Sequence, residues 1–192
     1  MSNDGENIRS MISQMKEFYQ QISLLLKTVD TQLKKEKWVN PNNTAIADSS
    51  KHIDYPSYWL PAEIFRFYLN MEENPKRLGF VSALVDDDKH GNYEIKEPLV
   101  TGGCFDYETE KKQTDDEDYY RYSKFYGYLS KKYDLKTNGE IFSFKKDMVD
   151  PEFQGEFENG QIFAIPLVTL LDEKDVKSKM TDPLMSILRS KR

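Results

Sequence analysis

The chain has 192 residues, close to a single domain on the usual scale of about 150 residues per domain. Its 27 basic and 33 acidic residues give a net charge of −6, which argues against nucleic acid and against an anionic membrane as partners. One cysteine, Cys104, excludes an internal disulfide framework and a multi-thiol zinc site, and no leader or membrane-length apolar run is visible, so we expect a cytoplasmic protein.

The first predicted element is a long amphipathic helix. Apolar residues recur with a seven-residue period in three series, Ile8, Met15, Ile22 and Val29, then Met11, Phe18 and Leu25, then Ile12, Tyr19, Leu26 and Leu33. No proline or glycine interrupts residues 6–40. The pattern therefore predicts one helix that begins at Asn3 or Asp4 and frays near residues 34–37.

The length of this helix leaves two interpretations open. It would be about 45 Å long, whereas a domain of this size is about 40 Å across. Its apolar face either lies across a sheet of the same chain or packs against another chain. We accordingly divide the chain into a long N-terminal helix, residues 1–37, that belongs to the same domain or is an oligomerisation element, and a single α+β domain, residues 38–192.

The next third of the chain is predicted to be a long connection followed by strands. Residues 38–61 lack a consistent period and contain three prolines, which is typical of a loop. Apolar and polar positions alternate over 63–69, which favours a strand, although a short buried helix fits the same letters. Apolar runs over 78–85 and 98–107 predict two antiparallel neighbours.

The remaining elements complete an α+β order. A capping box of Thr114 and Glu117 predicts a second helix over 115–132, and Asn-Gly pairs at 138–139 and 159–160 predict tight turns, the second being the stronger hairpin signal. Pro166 marks the edge or end of a strand, and short helices follow Asp172 and Asp182. The predicted fold is an antiparallel sheet with helices packed on one face, preceded by the long N-terminal amphipathic helix.

Residues 86–97 come closest to a metal motif. Asp86, Asp88, Gly91 and Glu97 match the first, third, sixth and twelfth positions of a calcium loop, and Asn92 offers a further oxygen. His90 occupies a position where a calcium loop has an oxygen ligand. Strand-like runs stand in place of the two helices that flank such a loop. A plain charged hairpin loop explains the same residues without an ion, so we predict no metal and no other cofactor.

Catalytic motifs are not recognisable in the sequence. It contains no nucleophile elbow, no phosphate loop and no dinucleotide fingerprint. Carboxylates within 150–158 are able to pair for acid/base chemistry, but such residues are abundant throughout the chain. We name no catalytic residue, lean away from an enzyme, and keep a carboxylate-dependent enzyme as one alternative.

Aromatic clusters suggest another alternative, a small-molecule sensor or binding domain. Its pocket would be lined by Trp59, Phe65, Phe67 and Tyr126, although core packing is the commoner use of such residues. The leading hypothesis is a cytoplasmic interaction or regulatory protein. We expect it to form a homo-oligomer or to bind a protein partner through the N-terminal helix.

Overall fold

An antiparallel sheet forms the middle of the molecule in the computed structural model, which describes residues 3–41, 46–47, 54, 60–87, 94–111, 125–151, 154 and 156–190. Within these residues the sheet has six strands, in the spatial order β1-β2-β3-β4-β6-β5. The strands are β1 (Ile46–Ala47), β2 (Glu63–Asn70), β3 (Asn74–Leu84), β4 (Leu99–Tyr107), β5 (Phe142–Lys145) and β6 (Phe157–Pro166).

Among the described residues, α-helices lie on both sides of the sheet. Helix α1 spans Asn3–Lys34, and helix α2 spans Phe125–Tyr133. The C-terminal region contains a short helix α3 (Glu173–Asp175), a π-helical turn (Val176–Thr181) and helix α4 (Asp182–Arg189). Asp172 caps α3 by accepting a hydrogen bond from the backbone NH of Asp175, as its position in the sequence predicts.

The central strands are buried on both faces, and their alternating side chains divide into two cores. On one face, aromatic residues of the sheet, including Phe67, Phe80 and Phe105, pack with α2. On the other face, residues such as Val81 and Val100 pack with α1 and the C-terminal helices. A strand with apolar side chains at both odd and even positions needs cover on both sides, which explains the two layers of helix.

The structure confirms the α+β class, the antiparallel sheet and the long N-terminal helix. The strand expected over 63–69 is β2, and the two runs expected to be neighbours are β3 and β4, paired from Arg77 with Asp106 to Leu84 with Leu99. The structure adds that helices cover both faces of the sheet, because α2 lies opposite α1. The predicted capping box of the second helix lies outside the described residues.

The prediction of a hairpin at residues 159–160 is wrong. Asn159 and Gly160 lie within β6, where Gly160 pairs with Phe105 and Phe144. Glycine is required there because a Cβ atom would overlap the Phe144 ring and the Cys104 carbonyl. The turn is found instead at the first Asn-Gly pair, where Gly139 has a φ of +84°.

A buried ion pair joins the sheet to the C-terminus. Arg77 of β3 donates to both carboxylate oxygens of Asp106 of β4, at 2.6 and 3.0 Å. Its remaining nitrogen donates to the backbone oxygens of Ile187 at 2.7 Å and Ser190 at 2.9 Å, at the end of α4. Arg77 therefore supplies a charged donor to the carbonyls at the end of α4, where the Ile187 oxygen also accepts from the backbone NH of Ser190.

Candidate functional site

Helix α1 has two halves with different surroundings. From Ile22 to Leu33 the residues of its heptad series are buried in the core beside the C-terminal helices. Towards the N-terminus the same heptad series continues, but its side chains are exposed: Ile8 by 58%, Met11 by 62% and Ile12 by 48%. We call Ile8, Met11, Ile12 and the half-buried Met15 the N-terminal stripe.

The two flanks of the N-terminal stripe differ in charge. At 100° per residue, positions 7 and 14 lie along one flank, and both carry neutral amides, Asn7 and Gln14. Positions 9 and 16 lie along the other flank and carry Arg9 and Lys16. The stripe itself contains no charged residue, so a helix packed on it desolvates no charge.

Polar contacts fix the direction in which α1 leaves the sheet. Arg66 of β2 binds the Asp30 carboxylate with two nitrogens, at 2.8 and 3.0 Å. The Tyr68 hydroxyl donates to the same carboxylate at 2.8 Å, and the Tyr19 hydroxyl donates to the Pro61 carbonyl at 3.3 Å. Burial and the neighbouring Asp30 raise the pKa of Tyr68 well above its usual value, so the hydroxyl stays a donor.

An apolar groove of about 400 Å³ runs beside the middle of α1. One wall is α1 between Phe18 and Thr28, and the other is the segment 167–176, which follows β6. Three of its apolar side chains are largely exposed, Leu24 by 55%, Val168 by 65% and Leu171 by 83%. Asp172 and Glu173 add negative charge to the second wall.

Exposed apolar side chains are concentrated at the stripe and the groove. Among the described residues, ten large hydrophobic side chains are exposed, and six of them belong to these two features: Ile8, Met11, Ile12, Leu24, Val168 and Leu171. Single exposed hydrophobic residues are ordinary, whereas a contiguous set marks an interaction site. Phe18 borders both features, because it follows the stripe on α1 and lines the groove. The stripe is therefore the candidate functional site, and the groove is a second apolar feature on a different face of α1, because at 100° per residue Leu24 lies about 120° around the helix from Ile12.

The three described residues proposed for a ligand pocket, Phe65, Phe67 and Tyr126, do not line one cavity. Phe65 and Phe67 are buried in the core on the α2 face, and Trp59 lies outside the described residues. Tyr126 borders a cavity of about 230 Å³ between the end of α2 and strands β5 and β6. Small-molecule sites are commonly larger, at roughly 300–1,000 Å³.

The buried hydroxyl of Tyr126, beside this cavity, should have a measurable effect on the free energy of unfolding. Its hydroxyl is buried without a hydrogen-bond partner among the described residues, and burial raises its pKa to about 12. The raised pKa contributes stability that is complete below pH ~10 and is lost as the pH rises towards 12, because the unfolded chain ionises first. We expect Tyr126→Phe to raise the unfolding free energy at pH 7 by up to about 1 kcal/mol and to weaken its decline above pH ~10, measured by urea denaturation.

Tyr68→Phe is the matched control for that experiment. It removes a buried hydroxyl that donates to Asp30 at 2.8 Å, so we expect a loss of about 1–2 kcal/mol. A loss of the same size for Tyr126→Phe would show that the Tyr126 hydroxyl makes a hydrogen bond in solution.

The four candidate metal ligands are only partly described. Asp88 and Asn92 lie outside the described residues, and Asp86 and Glu97 lie at the two ends of the connection between β3 and β4. Beside them, the backbone NH of Ile95 donates to Asp87 at 2.7 Å, a contact that closes the hairpin loop. Within the described parts of the chain, no three His, Cys, Asp or Glu side chains are grouped closely enough to hold a metal ion.

Comparisons with known proteins do not identify a relative: no family model, no curated protein and no solved structure matches the chain. Among the described helices, none is long and apolar enough to span a membrane.

Three exposed residues of the groove, Leu24, Val168 and Leu171, were not among the residues that the sequence predicted for a site. Leu24 lies outside the heptad series, and Val168 and Leu171 belong to a short apolar segment after Pro166 that has no helical or strand period. A signal was nonetheless present, because an apolar segment at 167–171 ends directly before the charged residues 172–175. It indicates a hydrophobic surface but not the neighbour beside which that surface lies.

Proposed function

We propose that this chain is an interaction protein, of a scaffolding or regulatory kind, that self-associates through the N-terminal stripe. One observation carries the proposal: the heptad series that is buried from Ile22 to Leu33 continues in phase to Ile8 on an exposed surface. An ordered helix with a continuous apolar face gains free energy when a second surface covers that face.

The charges around the stripe are compatible with a second copy of the chain as its partner. The amides of Asn7 and Gln14 flank the stripe on one side, so two copies are able to pack there without like-charge repulsion. Over residues 4–17 the charges are nearly balanced, with Arg9 and Lys16 against Asp4, Glu6 and Glu17. This segment therefore carries a net charge of only −1 of the total of −6, and the rest of the charge opposes pairing at this surface only weakly.

The proposal includes a cytoplasmic location. It is supported by the acidic composition and by the single cysteine, Cys104, which is buried and makes no disulfide.

Sedimentation equilibrium tests the proposal. We expect the full chain to dimerise at tens of micromolar and Ile12→Glu to remain monomeric at the same concentration. The substitution acts in both copies, and each buried isoleucine contributes about 1.5–3 kcal/mol, so the dissociation constant should rise by about 100-fold or more. Circular dichroism should show an unchanged fold, because Ile12 is 48% exposed.

Ile141→Glu is the matched control. Ile141 is also an exposed isoleucine, at 41%, but it lies before β5 and away from α1. It should leave dimerisation unchanged. A full chain that is monomeric at tens of micromolar overturns the proposal, as does an Ile12→Glu variant that dimerises as tightly as the parent protein.

A further inference from the structure

The N-terminal stripe is arranged symmetrically along α1, and this symmetry suggests how two copies pair. Ile8 and Met15 stand at equal distances on either side of the point between Met11 and Ile12. At 100° per residue, all four side chains lie within about 50° of one line along the helix. We infer that two copies pair stripe to stripe in antiparallel orientation, with Ile8 of one copy facing Met15 of the other. This inference rests on the proposed self-association and specifies its geometry.

The core of the chain lies on the same side of α1 as the stripe. At 100° per residue, Ile22, Leu26 and Leu33 fall within about 30° of the line that runs along the stripe. All three are buried in the core that α1 shares with the sheet and the C-terminal helices. A second helix on the stripe therefore has room only on the N-terminal side of Ile22, because the core occupies the same side of α1 beyond that residue.

This position of the core decides between the two orientations. In a parallel pair, the second α1 would continue past Ile22 on the stripe side and would overlap the core of the first copy. In an antiparallel pair centred between Met11 and Ile12, Asn3 of one copy lies opposite Gln20 of the other. The second α1 then begins two residues before Ile22, so it covers the exposed half of the first α1 and stops short of the core.

Two-fold symmetry covers both stripes at once. Each stripe is the surface that the other one covers, so the association closes at two copies. The same symmetry places each flank of the stripe against the same flank of the second copy. Asn7 therefore lies beside Gln14 of the second copy, and two amides are able to exchange hydrogen bonds. Arg9 and Lys16 approach each other on the opposite flank, where both are exposed and salt screens their repulsion.

An antiparallel pair also keeps the remaining charge of the two copies apart. Val29, in the buried half of α1, lies about 26 Å along the helix from the two-fold axis. The two cores are thus centred about 50 Å apart, which is several times the Debye length of about 8 Å at physiological ionic strength. The net charge of −6 on each copy therefore opposes the pairing only weakly.

Engineered cysteines in the full chain test the orientation. The native Cys104 is 0% exposed and does not compete with exposed thiols in a folded sample. Under mild oxidation, at a concentration where sedimentation shows the parent dimer, an equal mixture of Ile8→Cys and Met15→Cys should form a covalent dimer. Each variant alone should stay unlinked, because identical positions of the two copies lie about 10 Å apart along the axis, beyond the reach of a disulfide.

Ser10→Cys and Ser13→Cys are the matched control pair. Ser10 and Ser13 are exposed and are placed symmetrically about the same point of α1. At 100° per residue, however, both lie about 150° around the helix from the centre of the stripe. Their mixture should therefore stay unlinked under the same conditions.

The outcomes separate the inference from the proposed function. Efficient linkage of each single variant, without linkage between the two in the mixture, would indicate a parallel pair and overturn the inference while leaving self-association intact. Linkage of the control mixture as efficient as that of the Ile8→Cys and Met15→Cys mixture would also overturn it. A monomeric full chain in sedimentation removes the inference and the proposed function together.

Small-angle X-ray scattering makes the test independent of disulfide formation. The dimer should show a second maximum near 50 Å in its distribution of interatomic distances, because its two cores lie at opposite ends of the paired helices. The Ile12→Glu variant should lack this maximum at the same concentration. A dimer without the second maximum has its cores side by side and would overturn the inference.

Discussion

Replacing Arg77 with methionine is expected to lower the free energy of unfolding by about 3–5 kcal/mol, which is a large part of the total stability of a domain. Arg77 is 2% exposed and donates to both oxygens of Asp106 and to three backbone carbonyls at the end of α4. The variant leaves a buried carboxylate without this cation, and it leaves the helix terminus without its donor. Urea denaturation followed by circular dichroism measures the loss.

A double variant separates the buried charge from the loss of the helix cap. Arg77→Met combined with Asp106→Leu removes both charges, so it should recover part of the stability that Arg77→Met alone loses. The carbonyls of Ile187 and Ser190 still lack their donor in the double variant. If Arg77→Met alone lowers the stability by less than about 1 kcal/mol, the role assigned to this residue is wrong.

Gly103→Ala is expected to be the most damaging of the small substitutions, with a loss of more than about 3 kcal/mol. Gly103 lies in β4, and a Cβ atom there would overlap the backbone carbonyl of Gln161 and come within 2.9 Å of the Phe80 ring. The carbonyl belongs to the neighbouring strand β6, so relief requires the sheet itself to move. Thermal or urea unfolding measures the effect.

Gly102→Ala is the matched control one residue away on the same strand. Its Cβ atom would meet the end of the Met180 side chain at 2.5 Å and the Phe163 ring at 3.0 Å. The methionine is flexible and is able to change rotamer, so the expected loss is about 1 kcal/mol. Equal losses for the two variants would contradict the distinction between a backbone neighbour and a side-chain neighbour.

The fold followed from the sequence where the periodicity was strong. The heptad series of α1 and the alternation in β2 predicted those elements closely, because both patterns arise from a face that needs cover. The Asn-Gly pair at 159–160 was misleading, because its glycine serves the close approach of Phe144 and the Cys104 carbonyl rather than a turn. Local sequence does not distinguish these two uses of glycine.

The candidate site was only half visible in the sequence. Ile8, Met11 and Ile12 were recognised as part of an apolar face, but the sequence did not say which part of that face the chain covers for itself. Val168 and Leu171 were recognisable only as part of an apolar segment, because they form a wall only where the segment after β6 passes beside α1. Their contact spans more than a hundred positions of sequence, which no local pattern encodes.

The sequence by itself determined that the chain opens with a long helix whose apolar face requires a partner surface, because the seven-residue period fixes one face regardless of context. Only the tertiary structure decided how much of that apolar face remains exposed to solvent. The sheet and the C-terminal helices cover it from Ile22 onwards, and Asp30, bound by Arg66 and Tyr68, anchors this buried half of α1 to β2. Burial depends on which elements meet in space, whereas the pattern records only that burial is needed.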